Sequence, residues 1–148
     1  MPMLLAPTSD VVPIGLEHST LQPLVQQAAK EIGVSLSPDP SPEEVVFVRS
    51  DQYAFIRAGV PAVYLDGGYT GVDGDAKATR EVQDAFLRER YHQPGDDLSQ
   101  PIQWADAARL AELNARIGRL IADAPQRPAW NAGDFFGEKF GRKANPAP

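Results

Sequence analysis

Apolar positions along the chain fall into two kinds of pattern, one stepping by three and four residues and one running continuously for four to six. Leu21, Leu24, Val25, Ala28, Ala29 and Ile32 follow the first pattern and predict an amphipathic helix over residues 20–32. Ser19 is a plausible N-cap with Gln22 in the capping-box position, Pro23 falls in the first turn, and Gly33 can close the end. A second such stripe, Ala107, Leu110, Leu113, Ile117, Leu120 and Ile121, predicts a helix from about Gln103 to Ala124. Between them, Val45–Val48 and Val60–Leu65 are short β-branched runs that predict strands covered on both faces, with Pro61 near the start of the second. Residues 51–58 read as a short helix ended by Gly59, and residues 76–89 as a polar helix. Met3–Ala6 is apolar where a terminus is normally polar, and predicts a strand, either buried or on a sheet edge. Strands alternating with helices predict an α/β layer fold with functional loops at the carboxyl ends of the strands.

Gly and Pro punctuate this pattern, 12 and 14 of them in 148 residues, with prolines crowding residues 38–42 and 125–148. The expected organisation is a domain over residues 1–124 followed by a Pro/Gly-rich tail over 125–148, wrapping or disordered. The absence of cysteine excludes disulfides and thiolate metal sites. A formal charge of −6 makes a phosphate-tracking surface a poor expectation, so no nucleic-acid partner is predicted. No apolar run approaches the roughly 18–20 residues that span a bilayer, and no membrane partner is predicted. The first residues lack the features of an export signal.

Two histidines limit the chemistry. His18, just before a helix start, reads as solvated or capping. His92 lies in Tyr91-His92-Gln93-Pro94-Gly95-Asp96-Asp97, a loop that suits a metal or acid–base site as well as a structural histidine. One imidazole cannot hold zinc alone, which takes three or four protein ligands in the usual case. Asp51 has two compatible roles, cap of the helix it precedes or a carboxylate aimed at a site above the sheet. Glu43-Glu44 reads as a solvated pair, and Asp66, Asp73 and Asp75 as turn formers whose spacing does not match an EF-hand. There is no nucleophile elbow and no phosphate-binding Gly-Lys-Ser/Thr loop.

Ser50-Asp51-Gln52-Tyr53-Ala54-Phe55-Ile56-Arg57-Ala58-Gly59-Val60-Pro61-Ala62, followed by the Tyr91–Asp97 block and the tail Trp130–Glu138, resembles the zinc-dependent aminopeptidases related to bacterial leucyl aminopeptidase, over the C-terminal half of their catalytic domain. The resemblance implies a three-layer α/β fold, a twisted mixed sheet flanked by helices, as an incomplete zinc-exopeptidase domain. It implies two zinc ions, a glutamate base and a peptide substrate in the full-length relative. His92 matches the family's late histidine ligand. Asp51 and Tyr91 would line the site, Asp51 from a motif whose usual histidine is here Gln52, while Gly95 stands where serine is common. The family's His-x-Asp pair, its Glu-Glu and the Asp of Asn-x-Asp-Met are absent, and Met1 looks like that motif's methionine. The expectation is a chain inactive by itself. A binding or oligomerisation module pairing through an exposed strand edge is the competing expectation, with glutaminyl cyclisation or carboxypeptidase action a third. Such relatives are often periplasmic or extracellular, and the compartment of this chain stays open.

Overall fold

The computed structural model describes residues 4–141. Its sheet has three strands, β1 (Asp10–Ile14), β2 (Ser35–Leu36) and β3 (Tyr64–Gly67), in the order β2-β1-β3. β1 runs parallel to β2 and antiparallel to β3, with Val12 opposite Asp66 and Ile14 opposite Tyr64. Helices α1 (Gln22–Glu31) and α4 (Trp104–Asp123) pack on each other and cover one face. The other face carries α2 (Gln52–Arg57), single 3-10 turns at Pro42–Glu44 and Val46–Val48, and α5 (Phe135–Phe140). α3 (Ala76–Glu89) stands apart, buried only at Thr79 and Gln83. The molecule is therefore a mixed sheet between two helical layers, the three-layer α/β arrangement expected.

Alternation along the strands divides the core. Val11 and Leu65 face α1 and α4, where they meet Val25, Ala28, Leu110, Leu113 and Ile117. Val12 and Ile14 face the opposite side with Phe47 and Ile56, and half-buried Tyr64 and Trp130 close over them. This is the period of two of a strand buried on both faces.

The central strand, β1, is not among the expected elements. Pro13 interrupts its apolar run, and a proline argues against an interior strand because it donates nothing to the ladder. The structure spares that donor. Ser37 N–H donates to the Val11 carbonyl at 3.0 Å, so the Val11 peptide faces β2, and Pro13 faces the same side two residues on, past the last β2 residue that pairs with β1. Val12 and Ile14 bond to β3 instead.

The expected strand at Val45–Val48 is overturned: these residues lie at and within a 3-10 turn, with Val45 at φ 52°. Four consecutive apolar residues do not distinguish a strand from a short helical turn. Only Phe47 of the run is buried, its ring lying against Gly15. Gly15 takes φ 83°, and a Cβ there would fall inside that ring. The expected strand at Met3–Ala6 is overturned over its described part, because Leu4–Ala6 form no strand and Met3 lies outside the described residues. The Leu4 carbonyl instead accepts from Gln103 N–H at the start of α4, at 2.8 Å. The strand expected at Val60–Leu65 begins later, at Tyr64, leaving Val60–Val63 as extended chain.

Helix expectations fare better. α1, α2, α3 and α4 fall within the ranges expected of them. Ser19 does not cap α1 in the expected way: Leu21 is the N-cap residue, and the Ser19 hydroxyl accepts from Leu21 N–H at 3.4 Å. α3 has a cap the sequence reading did not assign, Asp75, whose carboxylate accepts from the N–H groups of Lys77 and Ala78. Among the described residues no helix is long and apolar enough to cross a membrane.

Candidate functional site

His92 sits one turn beyond α3 with φ 58°, a left-handed conformation that histidine tolerates better than most residues, at about 1 kcal/mol or more. Its ring stacks on Tyr91, with centroids 3.8 Å apart, and Tyr91 in turn meets Phe86 of α3. The side chain is exposed. The two carboxylates that follow close local turns. Asp96 accepts from the Gln100 amide at 2.8 Å, and Asp97 from Ser99 N–H at 2.8 Å. Hydrogen bonds from Ser99 hold the Asp97 carboxyl below its ordinary range.

Asp51 stands at the start of α2 with helical dihedrals and makes no side-chain cap, so the capping role expected for it is not realised. It lines a groove of about 1380 Å³ between α2, the extended residues Val60–Val63, the outer turns of α4 and residues 127–141. Tyr64 lines the same groove. Burial pushes the Tyr64 hydroxyl far up, and the charges of Asp66 and Tyr91 push it further. Tyr69 is pushed up to about 12, first by burial and then by Asp66 and Asp39. The structure thus gathers Asp51 and Tyr64 in one groove, but neither Tyr91 nor His92 is among the groove's walls.

His18 departs from its expectation of solvation or capping. Its Nδ1 lies 2.6 Å from Asp134 Oδ2, its ring stacks on Phe47 at 4.8 Å, and the edge of Phe136 closes the third side. Sequence reasoning missed this pair because it joins residues 116 positions apart. The one local signal was Asp134 ahead of Phe135-Phe136, a helix-cap pattern. Asp134 also accepts from the N–H groups of Phe136 and Gly137, capping α5. Around it the segment from Ala129 is strapped to the body. Thr20 N–H donates to the Ala129 carbonyl, Asn131 N–H to the His18 carbonyl, and Trp130 Nε1 to the Gly59 carbonyl.

Burial alone would push the Asp134 carboxyl up, but the bonds from His18, Gly137 and Phe136 and the charge of His18 outweigh it and hold it below its ordinary value. A carboxyl depressed in the folded state stabilises above its unfolded pKa, about 3.9, and that contribution is lost as pH falls through the lower folded value. Acidification below about pH 4 is therefore expected to loosen the strap before the sheet. Asp134→Ala should do the same at neutral pH, at about 1 kcal/mol or more for the lost cap. Amide exchange at Phe136 and Gly137 measures both, and unchanged exchange in Asp134→Ala would refute the latch.

Glu43 and Glu44 behave as read, exposed, with Glu44 paired to Arg49 at 3.1 Å. Of the three aspartates expected to form turns only Asp73 does, accepting from Asp75 N–H; Asp66 lies within β3 opposite Val12 and accepts from Gly67 N–H, and Asp75 caps α3. Among the described residues no three His, Asp or Glu side chains come together as a metal centre would need.

A three-layer α/β fold with a Tyr-His loop after a strand-linked helix is the frame of a metallopeptidase-like hydrolase. Residues 7–118 match the profile of Peptidase family M28, and the chain belongs to that family. No curated protein and no solved structure matches the chain significantly.

Proposed function

We propose that this chain is the part of an aminopeptidase-type, zinc-dependent exopeptidase site that contributes His92 as a ligand, and that it does not turn over peptides by itself. The observation that carries the proposal is the exposed imidazole of His92, fixed on a left-handed turn and stacked on Tyr91. Membership of the M28 family supports the peptidase reading. Were zinc held with His92 as one of its ligands, it would supply a Lewis acid for the scissile carbonyl and for water. Within this chain, Tyr91 orients the His92 ring by stacking, and Asp51 and Tyr64 offer a carboxylate and a hydroxyl to a substrate lying in the adjoining groove.

Incubation of the purified chain with zinc and leucine p-nitroanilide tests this directly. The expected result is no turnover above background and only weak zinc binding by calorimetry, weakened further in His92→Ala, since tight sites use three or four protein ligands. Tight binding of two zinc ions with turnover, both lost in His92→Ala, would overturn it.

A further inference from the structure

A second cleft, of about 540 Å³, lies between the Gly15–His18 turn, the start of α1, the residues that follow β2 and the Val46–Val48 turn, and it shares no wall with the groove beside Asp51. That volume suits a small molecule. Ile14, Leu36, Val46, Phe47 and Phe136 make its apolar walls. Its charged walls are of one sign: Glu17 and Asp39 line it, and among the described residues no lysine or arginine does. His18 completes the lining. The ionised Asp134 carboxylate can only accept, so its 2.6 Å contact makes His18 Nδ1 the donor and, in the neutral ring, leaves the Nε2 lone pair as an acceptor. Glu17 Oε1 lies 3.5 Å from that Nε2. Two acceptors therefore face each other at a cleft whose walls supply no cation to lie between them.

We propose that this cleft binds an organic ammonium ion carried on an apolar body, of the arylalkylamine class. The ammonium donates to His18 Nε2 and to the Glu17 carboxylate at once, and Asp39 adds a second negative charge to the same cleft. The apolar body lies against the walls that Leu36, Phe47 and Phe136 form, out of water. A neutral isostere keeps the second contribution and loses the first, and an anion meets only like charge. The inference does not rest on the reading of His92, since no residue of the cleft belongs to the Asp51 groove or to the Tyr91–His92 loop. It does tie the ligand to the strap. Phe136 is a wall of the cleft and Asp134 fixes the His18 ring, so the site is complete only while the strap is closed. Occupancy then holds the strap shut by mass action.

Titration of the full chain with phenethylammonium tests this by NMR, with 2-phenylethanol as the neutral isostere, 3-phenylpropionate as the anionic one and no metal present. The amine is expected to bind about tenfold or more tightly than the alcohol, a margin suited to one charge-assisted hydrogen bond, and to shift the ring signals of His18 and Phe136. The anion should not bind. Glu17→Gln should remove most of that margin and Glu17→Lys all of it; the Glu17 side chain is 73% exposed, so neither substitution threatens the fold. At ten times its dissociation constant the amine should slow amide exchange at Phe136 and Gly137 about tenfold, the factor by which occupancy favours the closed strap. Equal affinity for amine and alcohol, or a margin that Glu17→Gln leaves intact, would overturn the ammonium assignment. Binding with unchanged exchange at Phe136 and Gly137 would overturn the tie to the strap. Binding that His92→Ala weakens, or that moves signals around Asp51 in place of His18, would put the amine in the other groove and overturn the cleft as its site.

Discussion

Leu113→Ala is expected to destabilise the chain by about 3–5 kcal/mol, the cost of a fully buried leucine whose surroundings cannot collapse into the space it leaves. Leu113 is 0% exposed and sits where α4 meets α1 and the sheet, among Val25, Ala28, Leu65, Leu110 and Ile117. Leu110 and Ile117 lie about one helical turn to either side of Leu113, so all three side chains share one stripe and relaxation at one position is opposed by the other two. A loss of that size is a large share of the roughly 5–15 kcal/mol that stabilises an ordinary domain. Urea unfolding should show a lower midpoint with an unchanged slope. A shift worth under about 1 kcal/mol would mean that α1 and α4 do not form the packed layer described.

Gly68→Ala is expected to be of similar size, about 3 kcal/mol, by a different cause: overpacking against fixed backbone. A Cβ at Gly68 would land on the carbonyl and carboxylate oxygens of Asp10. Asp10 cannot withdraw. It is buried at 2% exposure, and its carboxylate accepts from Thr70 N–H at 2.9 Å and from the Thr70 hydroxyl at 3.3 Å. The Gly68 carbonyl also holds α3, accepting from the buried Gln83 amide at 3.1 Å. The substitution should therefore lower the thermal midpoint and also free α3, raising protease cleavage around Tyr91 and His92. Gly118→Ala is the control, since a Cβ there meets nothing within 4 Å and its helical setting favours alanine. A stable Gly68→Ala chain with an uncut His92 loop would show that α3 is held by something other than Gly68 and Gln83.

α1 and α4 were legible because periodicity reports an amphipathic face directly, as at Val25, Ala28 and Ala29 of α1 or Leu110, Leu113 and Ile117 of α4. Strands were less legible because two of their three signals were misleading. Pro13 hid β1, the best-buried strand, while Val45–Val48 imitated one and folded as a turn around a single buried ring. Of the candidate site, the Tyr91–His92 loop was visible as a motif, and so was the turn role of Asp73, whereas Asp66 lies in β3 and Asp75 caps α3. Asp51 was placed beside a helix but its capping was not realised, because helical dihedrals at Asp51 itself leave its carboxylate directed away from the first N–H groups. The His18–Asp134 pair was out of reach, since nothing local links a pre-helix histidine to an aspartate near the far end of the chain.

That long closure bears on the order of folding. The strap from Ala129 to Phe140 gains its contacts only after Gly15 has turned, Phe47 has seated and α2 has formed, because its partners His18, Phe47, Tyr53 and Gly59 all come from those pieces. Closing a loop of that span costs entropy before any contact repays it. The strap is therefore expected to lock after the sheet and to open before it. On each opening the groove beside Asp51 loses one wall while both clusters on the sheet keep their strands, so the wall residues Trp130 and Gly137 exchange between two states on a faster clock than the core behind them.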